Sequence, residues 1–160
     1  MNSKDICLND AIDVIEEVLA SGGEFKMYPK GISMLPLIKA GRDCVVLKKG
    51  ESNELKRHDI AFYRRKSGQF VLHRVMNVEP NGTYVMCGDN QTYLERDIEP
   101  EQIICKVEKL YRKDKEVDFD GFGYKLYLSV WCFMPLRRLV KFPKRCFDYL
   151  VRRLKLSKNC

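Results

Sequence analysis

Three short segments of this sequence carry side chains that together could perform nucleophilic catalysis. Ser33 lies in the segment GISMLP, His73 lies in VLHRV, and Asp89 lies in GDN. A serine hydroxyl is a weak nucleophile at neutral pH, so it needs a proton acceptor within hydrogen-bond reach and a third group that orients this acceptor. The three side chains are therefore candidates for a nucleophile, a general base and a supporting acid.

The supporting acid is not unique in the sequence, because Glu95 and Asp97 lie just beyond Asp89. An aspartate that follows a glycine can also cap its own turn without any catalytic role. Turn serines and strand histidines are likewise common in proteins that perform no chemistry, so neither Ser33 nor His73 is decisive alone. The other histidine, His58, lies in a polar turn and is expected to be solvated.

The residues around Ser33 favour an exposed hydroxyl at a chain reversal. Gly31 permits close approach of the backbone, and Pro36 fixes the start of a turn or short helix. The backbone N–H of the serine could then point at a developing oxyanion. We take Gly31, Met34 and Pro36 as candidates for substrate and oxyanion binding.

The cysteines do not predict a metal site. Seven cysteines occur without any C-x-x-C pair, so neither a disulfide framework nor a zinc pattern is indicated. Zinc held by Cys44, Cys87 and His73 can be imagined, but these residues have no recognisable ligand spacing. We expect reduced thiols, no metal and no cofactor.

The elements that must position these residues follow from periodicity. Apolar residues at helical spacing predict a helix over residues 8–21, and short β-rich runs occupy residues 25–115. The predicted strands are 25–28, 44–48, 59–65, 70–78, 83–87 and 103–111. Asn81-Gly82 predicts that 70–78 and 83–87 pair as a hairpin with a tight primed turn, which would bring His73 and Asp89 near each other.

The C-terminal part of the chain has a different character. Residues 121–160 contain ten Lys and Arg and one acidic residue, Asp148, and they alternate aromatic and basic side chains in helical segments. This pattern suits an anionic membrane surface better than nucleic acid, although such helices can also simply cover a sheet edge. We predict a first domain in residues 1–120, which contains the helix and the β-rich segments, and a basic amphipathic helical tail in residues 121–160.

Taken in order, the segments resemble the signal peptidase I and LexA-like serine peptidase superfamily over roughly residues 18 to 112. The matching segments are GISMLP and GRD, then DIAF, HRV and GDN. Most bacterial members have a lysine as base in the strand that here contains His73, whereas the endoplasmic-reticulum type and some Gram-positive signal peptidases have histidine. The chain resembles the histidine type.

The resemblance implies an α+β fold with a mostly antiparallel β peptidase core in residues 1–120. It also implies Ser33 as nucleophile, His73 as general base and Asp89 as supporting acid, with Glu95 or Asp97 in the place of a further acid. Many signal peptidases have an oxyanion-binding serine two residues before the nucleophile, and Gly31 stands there in this chain. The implied activity is a serine endopeptidase that removes a leader or signal-like segment, with small residues beside the scissile bond.

Two further expectations follow. Histidine is already largely neutral at pH 7, so activity should rise through a single pKa of about 6 to 7. Only a short acidic helix precedes the serine segment, so we expect a cytoplasmic protein with peripheral membrane contact, or else attachment through a partner or the C-terminal segment. The alternatives to a peptidase are a non-catalytic peptide-binding module on the same fold and a membrane-surface adaptor.

Overall fold

The computed structural model of the chain describes residues 8–49 and 55–141. Helix α1 spans Leu8–Ala20, which confirms the helix expected over residues 8–21. It buries Ile15 and Leu19, the apolar residues on one side of the helix. The helix therefore packs through the stripe that its periodicity indicated.

The described strands form one antiparallel sheet. They are β1 (Glu24–Met27), β2 (Asp43–Lys48), β3 (Ile60–Arg64), β4 (Phe70–Val78), β5 (Tyr84–Cys87), β6 (Glu95–Ile98), β7 (Ile103–Arg112) and β8 (Lys115–Glu116). Their order is β1-β2-β7-β3-β4-β5-β6, and β8 pairs with β7. A short 3-10 helix, Pro100–Gln102, precedes β7. The predicted α+β class with a mostly antiparallel sheet is confirmed, and each of the predicted strands is present to within one residue at either end.

Strand β4 carries His73 through the interior. All residues from Val71 to Met76 are buried, so both faces of this part of the strand are covered. Val75 lies opposite Met86 of β5, and Tyr63 of β3 lies opposite Val71. These residues belong to one apolar cluster, and His73 projects to the same face because it alternates with its neighbours along the strand.

The hairpin between β4 and β5 is confirmed, but its predicted turn is wrong. Of the two turn residues, Gly82 has a positive φ, of 82°, and Asn81 does not, whereas a primed turn at Asn81-Gly82 would need positive φ at both residues. Such a turn would also make Pro80 the last ladder residue, and proline has no N–H to donate. The turn therefore closes one residue earlier, with the N–H of Glu79 donating to the carbonyl of Thr83.

Two strands were not predicted. β6 has the sequence ERDI, of which only Ile98 is buried, so it lacks the alternation of apolar residues that signals a strand. β8 contains only two residues. β6 is the more important omission, because it carries Glu95.

Contacts within the chain divide it into two compact units, with the division between Asp118 and Phe119. In the second unit, helix α2 spans Phe122–Trp131, and residues 134–141 are helical. The rest of the predicted tail, residues 142–160, lies outside the described residues. In residues 8–49 and 55–141, no helix combines the length and the apolar character needed to cross a membrane.

Candidate active site

Ser33 and His73 line the same groove, which has a volume of about 440 Å³. One wall contains the segment from Pro29 to Met34, and the other contains the segment from Gln69 to His73 at the start of β4. The structure therefore brings the expected nucleophile and the expected base to one surface. Among the described residues, no hydrogen bond joins the two side chains.

Ser33 lies in a tight turn that is anchored by the buried side chain of the next residue. Gly31 has a φ of 91°, the N–H of Leu35 donates to the carbonyl of Ile32, and Met34 is buried. Within the described residues, the backbone N–H of Ser33 meets no acceptor, and the residue is half-buried. This N–H is consequently able to donate to an oxygen of a bound molecule.

The turn at Gly88-Asp89-Asn90 holds the serine backbone from the other side. The N–H of Asn90 donates to the carbonyl oxygen of Ser33 at 2.7 Å. A Cβ on Gly88 would lie only 2.6 Å from the same oxygen, so glycine is the residue that allows this approach. The first and last residues of the GDN segment thus position Ser33.

Asp89, the middle residue of that segment, does not contact His73. The Asp89 carboxylate binds the guanidinium of Arg74 through two hydrogen bonds, Nε to Oδ1 at 2.9 Å and Nη2 to Oδ2 at 2.7 Å, and both side chains are fully buried. Cys87, two residues before Asp89, lies opposite Arg74 in the β4–β5 ladder. The strands are neighbours as expected, but the pleat directs Arg74, rather than His73, towards Asp89.

Glu95 is the acid that contacts His73. The Oε1 atom of Glu95 lies 3.2 Å from Nδ1 of the imidazole. The ladder explains this contact, because Glu95 lies opposite Met86, Met86 lies opposite Val75, and cross-strand partners share a face of the sheet. Glu95, an alternative to Asp89 in the sequence, therefore makes the contact with His73 that we expect of the supporting acid.

Tyr63 and Arg65 complete this cluster. The Tyr63 hydroxyl lies 3.2 Å from Nδ1 of His73 and donates to Oε2 of Glu95 at 2.9 Å. The Arg65 guanidinium also binds both carboxylate oxygens of Glu95. One proton arrangement satisfies these contacts: Nδ1–H points to Glu95 Oε1 and the tyrosine oxygen, which leaves the lone pair on Nε2.

The sequence contains a signal for Tyr63 that residue type alone does not provide. A hairpin closed around Ser67 places Ala61 opposite His73, as observed, and Tyr63 on the same face of the sheet. No comparable signal exists for Arg65, which lies just after β3 and reaches Glu95 from a residue outside the ladder.

The cluster determines the charge of each of its members. Burial lowers the pKa of His73 to about 4, and the attraction of Glu95 offsets only part of this effect. Burial opposes ionisation of Glu95, but hydrogen bonds from Arg65 and Tyr63 outweigh it and lower the pKa of Glu95. Burial also raises the pKa of Tyr63, so its hydroxyl keeps its proton. At neutral pH the imidazole is neutral and faces a carboxylate, and its pKa of about 4 lies below the value of about 6 to 7 that we expect from sequence for the rise in activity.

The remaining candidates lie in different places. Gly31 and Met34 line the groove, whereas Pro36 is exposed outside the groove-lining segment and is joined to Leu35 by a cis peptide bond. Asp97 is exposed on β6. His58 is half-buried rather than solvated, and burial lowers its pKa. Gln91 and Tyr93, which the sequence analysis did not single out, also line the groove.

The described cysteines are Cys44, Cys87, Cys105 and Cys132, and each is buried. In the part of the chain that the structure describes, no three His, Cys, Asp or Glu side chains are grouped as metal ligands. The imagined set of Cys44, Cys87 and His73 is not such a group.

Comparisons with known proteins identify no relative. No family model matches the chain, and neither the curated proteins nor the solved structures contain a match. The resemblance carried by the ordered segments therefore stays a hypothesis.

Proposed function

We propose that this protein is a serine endopeptidase of the Ser-His type that removes a leader or signal-like segment from a peptide or protein. Ser33 is the nucleophile, His73 is the general base, and Glu95 is the acid that orients the base. The observation that carries the proposal is that Ser33 lines the same groove as His73, a buried and neutral imidazole whose Nδ1 lies 3.2 Å from the Glu95 carboxylate. The peptidase fold that the segments resemble is part of the same proposal.

The proposed roles make use of the contacts around His73. In the bound state, Ser33 Oγ attacks the scissile carbonyl carbon while Nε2 of His73 takes the hydroxyl proton. The negative charge on the carbonyl oxygen is met by the N–H of Ser33. The imidazolium that forms at this moment lies beside the Glu95 carboxylate, which stabilises it, and it then gives its proton to the leaving amine. A water molecule repeats these steps on the acyl-enzyme.

A peptide can bind in extended form between the two walls of the groove. The segment Pro29–Met34 and the start of β4 both line this space. Such backbone recognition is tolerant of sequence, while pockets for alternate side chains select the substrate. We expect small residues beside the scissile bond, as the resemblance implies.

The first experiment maps new peptide termini by mass spectrometry after incubation of a leader-peptide library. It compares the wild type with Ser33→Ala and His73→Ala. Ser67→Ala and His58→Gln serve as matched controls, because they remove the same residue types outside the Ser33–His73 pair. Cleavage by the wild type and both controls, but by neither site variant, supports the proposal; cleavage that persists in Ser33→Ala contradicts it.

The assignment of the acid is tested by Glu95→Gln and Asp89→Asn. Glu95→Gln removes the charge that stabilises the imidazolium, so we expect kcat to fall by about 10²–10⁴, the range typical of proton-transfer assistance. If Asp89→Asn still folds, its kcat is expected to fall much less, because its carboxylate binds Arg74. The opposite order of effects would return the acid role to Asp89.

One observation favours a second candidate function. Ser33 and His73 line the groove without a hydrogen bond between them among the described residues, so the groove is also suited to binding an extended peptide without cleaving it. Catalytic contacts are often long before substrate binds, which is why we place this candidate second. Calorimetric binding of leader peptides with no cleavage in any sample would support the binding module.

A further inference from the structure

The second unit exposes an apolar ridge that the proposed peptidase site does not use. On α2, which buries no side chain, Phe122 is 82%, Leu126 51% and Val130 44% exposed. These residues are four apart, so successive members are rotated by only about 40° and project to one side of the helix. We define these three residues as the apolar ridge.

Exposed apolar side chains continue beyond the helix. Phe133 is 58% and Leu139 69% exposed. Large apolar side chains exposed on one side of a helix are typical of a surface that contacts something other than solvent.

The charge around the ridge is of one sign. Lys125 and Arg138 are exposed, and the Nζ atom of Lys141 lies 6.0 Å from the ring centre of Trp131. No aspartate or glutamate occurs between residues 121 and 141. Cationic side chains beside an apolar ridge complement a surface that is anionic outside and apolar beneath.

We propose that the apolar ridge lies in the surface of an anionic lipid bilayer, with Lys125 and Arg138 against the headgroups. α2 has ten residues and is therefore about 15 Å long, half the thickness of a hydrocarbon core, so it lies in the plane of the surface. Tyr124, Tyr127 and Trp131, which are half-exposed, have the amphipathic rings that favour the headgroup level. A second copy of the chain is a weaker occupant, because it would bring a second set of positive charges to the same place.

The test is co-sedimentation of the full chain with vesicles of phosphatidylcholine, alone or with about one third phosphatidylglycerol. We expect binding to the anionic vesicles that weakens with salt and is at least about tenfold weaker on neutral ones. The variant Phe122→Gln/Leu126→Gln/Val130→Gln should lower the partition coefficient at least about tenfold, because three apolar side chains no longer enter the bilayer. The matched control is Val14→Gln, which replaces an exposed helical valine in the first unit and should bind like the wild type.

A second variant keeps the test decisive if the ridge variant does not fold, as judged by circular dichroism. Lys125→Glu/Arg138→Glu leaves the apolar ridge intact and should abolish the preference for anionic vesicles. The proposal is overturned if the wild type stays in the supernatant with both kinds of vesicle, or if both variants bind as the wild type does. It is also overturned if sedimentation velocity shows a dimer that the ridge substitutions dissociate and no vesicle binding.

Discussion

The burial of His73 should make the stability of the protein depend on pH. His73 is 1% exposed, and burial lowers its pKa from 6.5 to about 4. As the pH falls below 6.5, the unfolded chain binds a proton at this histidine while the folded chain does not. The free energy of unfolding therefore decreases between pH 6.5 and about 4, and the loss from this group stops below that pKa.

The size of this effect follows from the difference in pKa. Each unit corresponds to about 1.4 kcal/mol, so the buried histidine costs about 3 kcal/mol of stability across this range. A domain of ordinary stability has about 5–15 kcal/mol, so the loss is easily measured by urea unfolding at a series of pH values. Glu95 acts in the same direction, but it does so only below its ordinary value of 4.5, because its pKa is lowered as well.

The assay combines urea unfolding with an NMR titration of the imidazole protons. The chain has two histidines, so His58→Gln assigns the His73 resonance directly. His73→Gln should flatten the dependence of stability on pH between 4 and 6.5, while His58→Gln should change it less. A His73 pKa at or above 6.5, or a protein that becomes more stable as the pH falls through this range, would refute the reasoning.

Two further substitutions test the contacts around Ser33. Asp89→Asn leaves the Arg74 guanidinium buried without its counter-charge, so the free energy of unfolding should fall by about 3–5 kcal/mol. Replacing both partners with apolar residues should cost less than the sum of the two single changes. Additive costs in urea unfolding would contradict the pairing. Gly88→Ala places a methyl group 2.6 Å from the carbonyl oxygen of Ser33 and should cost about 1–3 kcal/mol with shifted amide resonances in this turn. Gly123→Ala, with open space around its Cβ, is the matched control, and equal effects of both changes would exclude a tight approach at Gly88.

Local sequence patterns predict the strands well because apolar and β-branched residues either alternate along each strand or form a continuous run. They also predict that His73 shares a face with Val71 and Val75, which the apolar cluster bears out. Alternation cannot predict which residue of a neighbouring strand lies opposite. The β4–β5 register decides that Asp89 meets Arg74, and the β5–β6 register decides that Glu95 lies near His73.

The local sequence pattern does not predict β6, because the strand is charged. It also misplaces the turn of the β4–β5 hairpin, because Pro80 lacks the N–H that a shorter turn needs. In both cases a local preference gave way to pairing across the sheet. Glu95, the proposed acid, lies on this strand, so the candidate site depends on tertiary pairing more than the fold class does.

The charges on β6 have a consequence for the behaviour of the protein in concentrated solution. β1 and β6 are the two ends of the described strand order, and strands at such ends expose backbone groups that can recruit a strand from another molecule. Arg96 and Asp97 are exposed on β6, and Glu24 and Lys26 are exposed on β1. Desolvating these charges opposes intermolecular strand pairing, so we expect the two terminal strands of the described sheet to resist growth into aggregates.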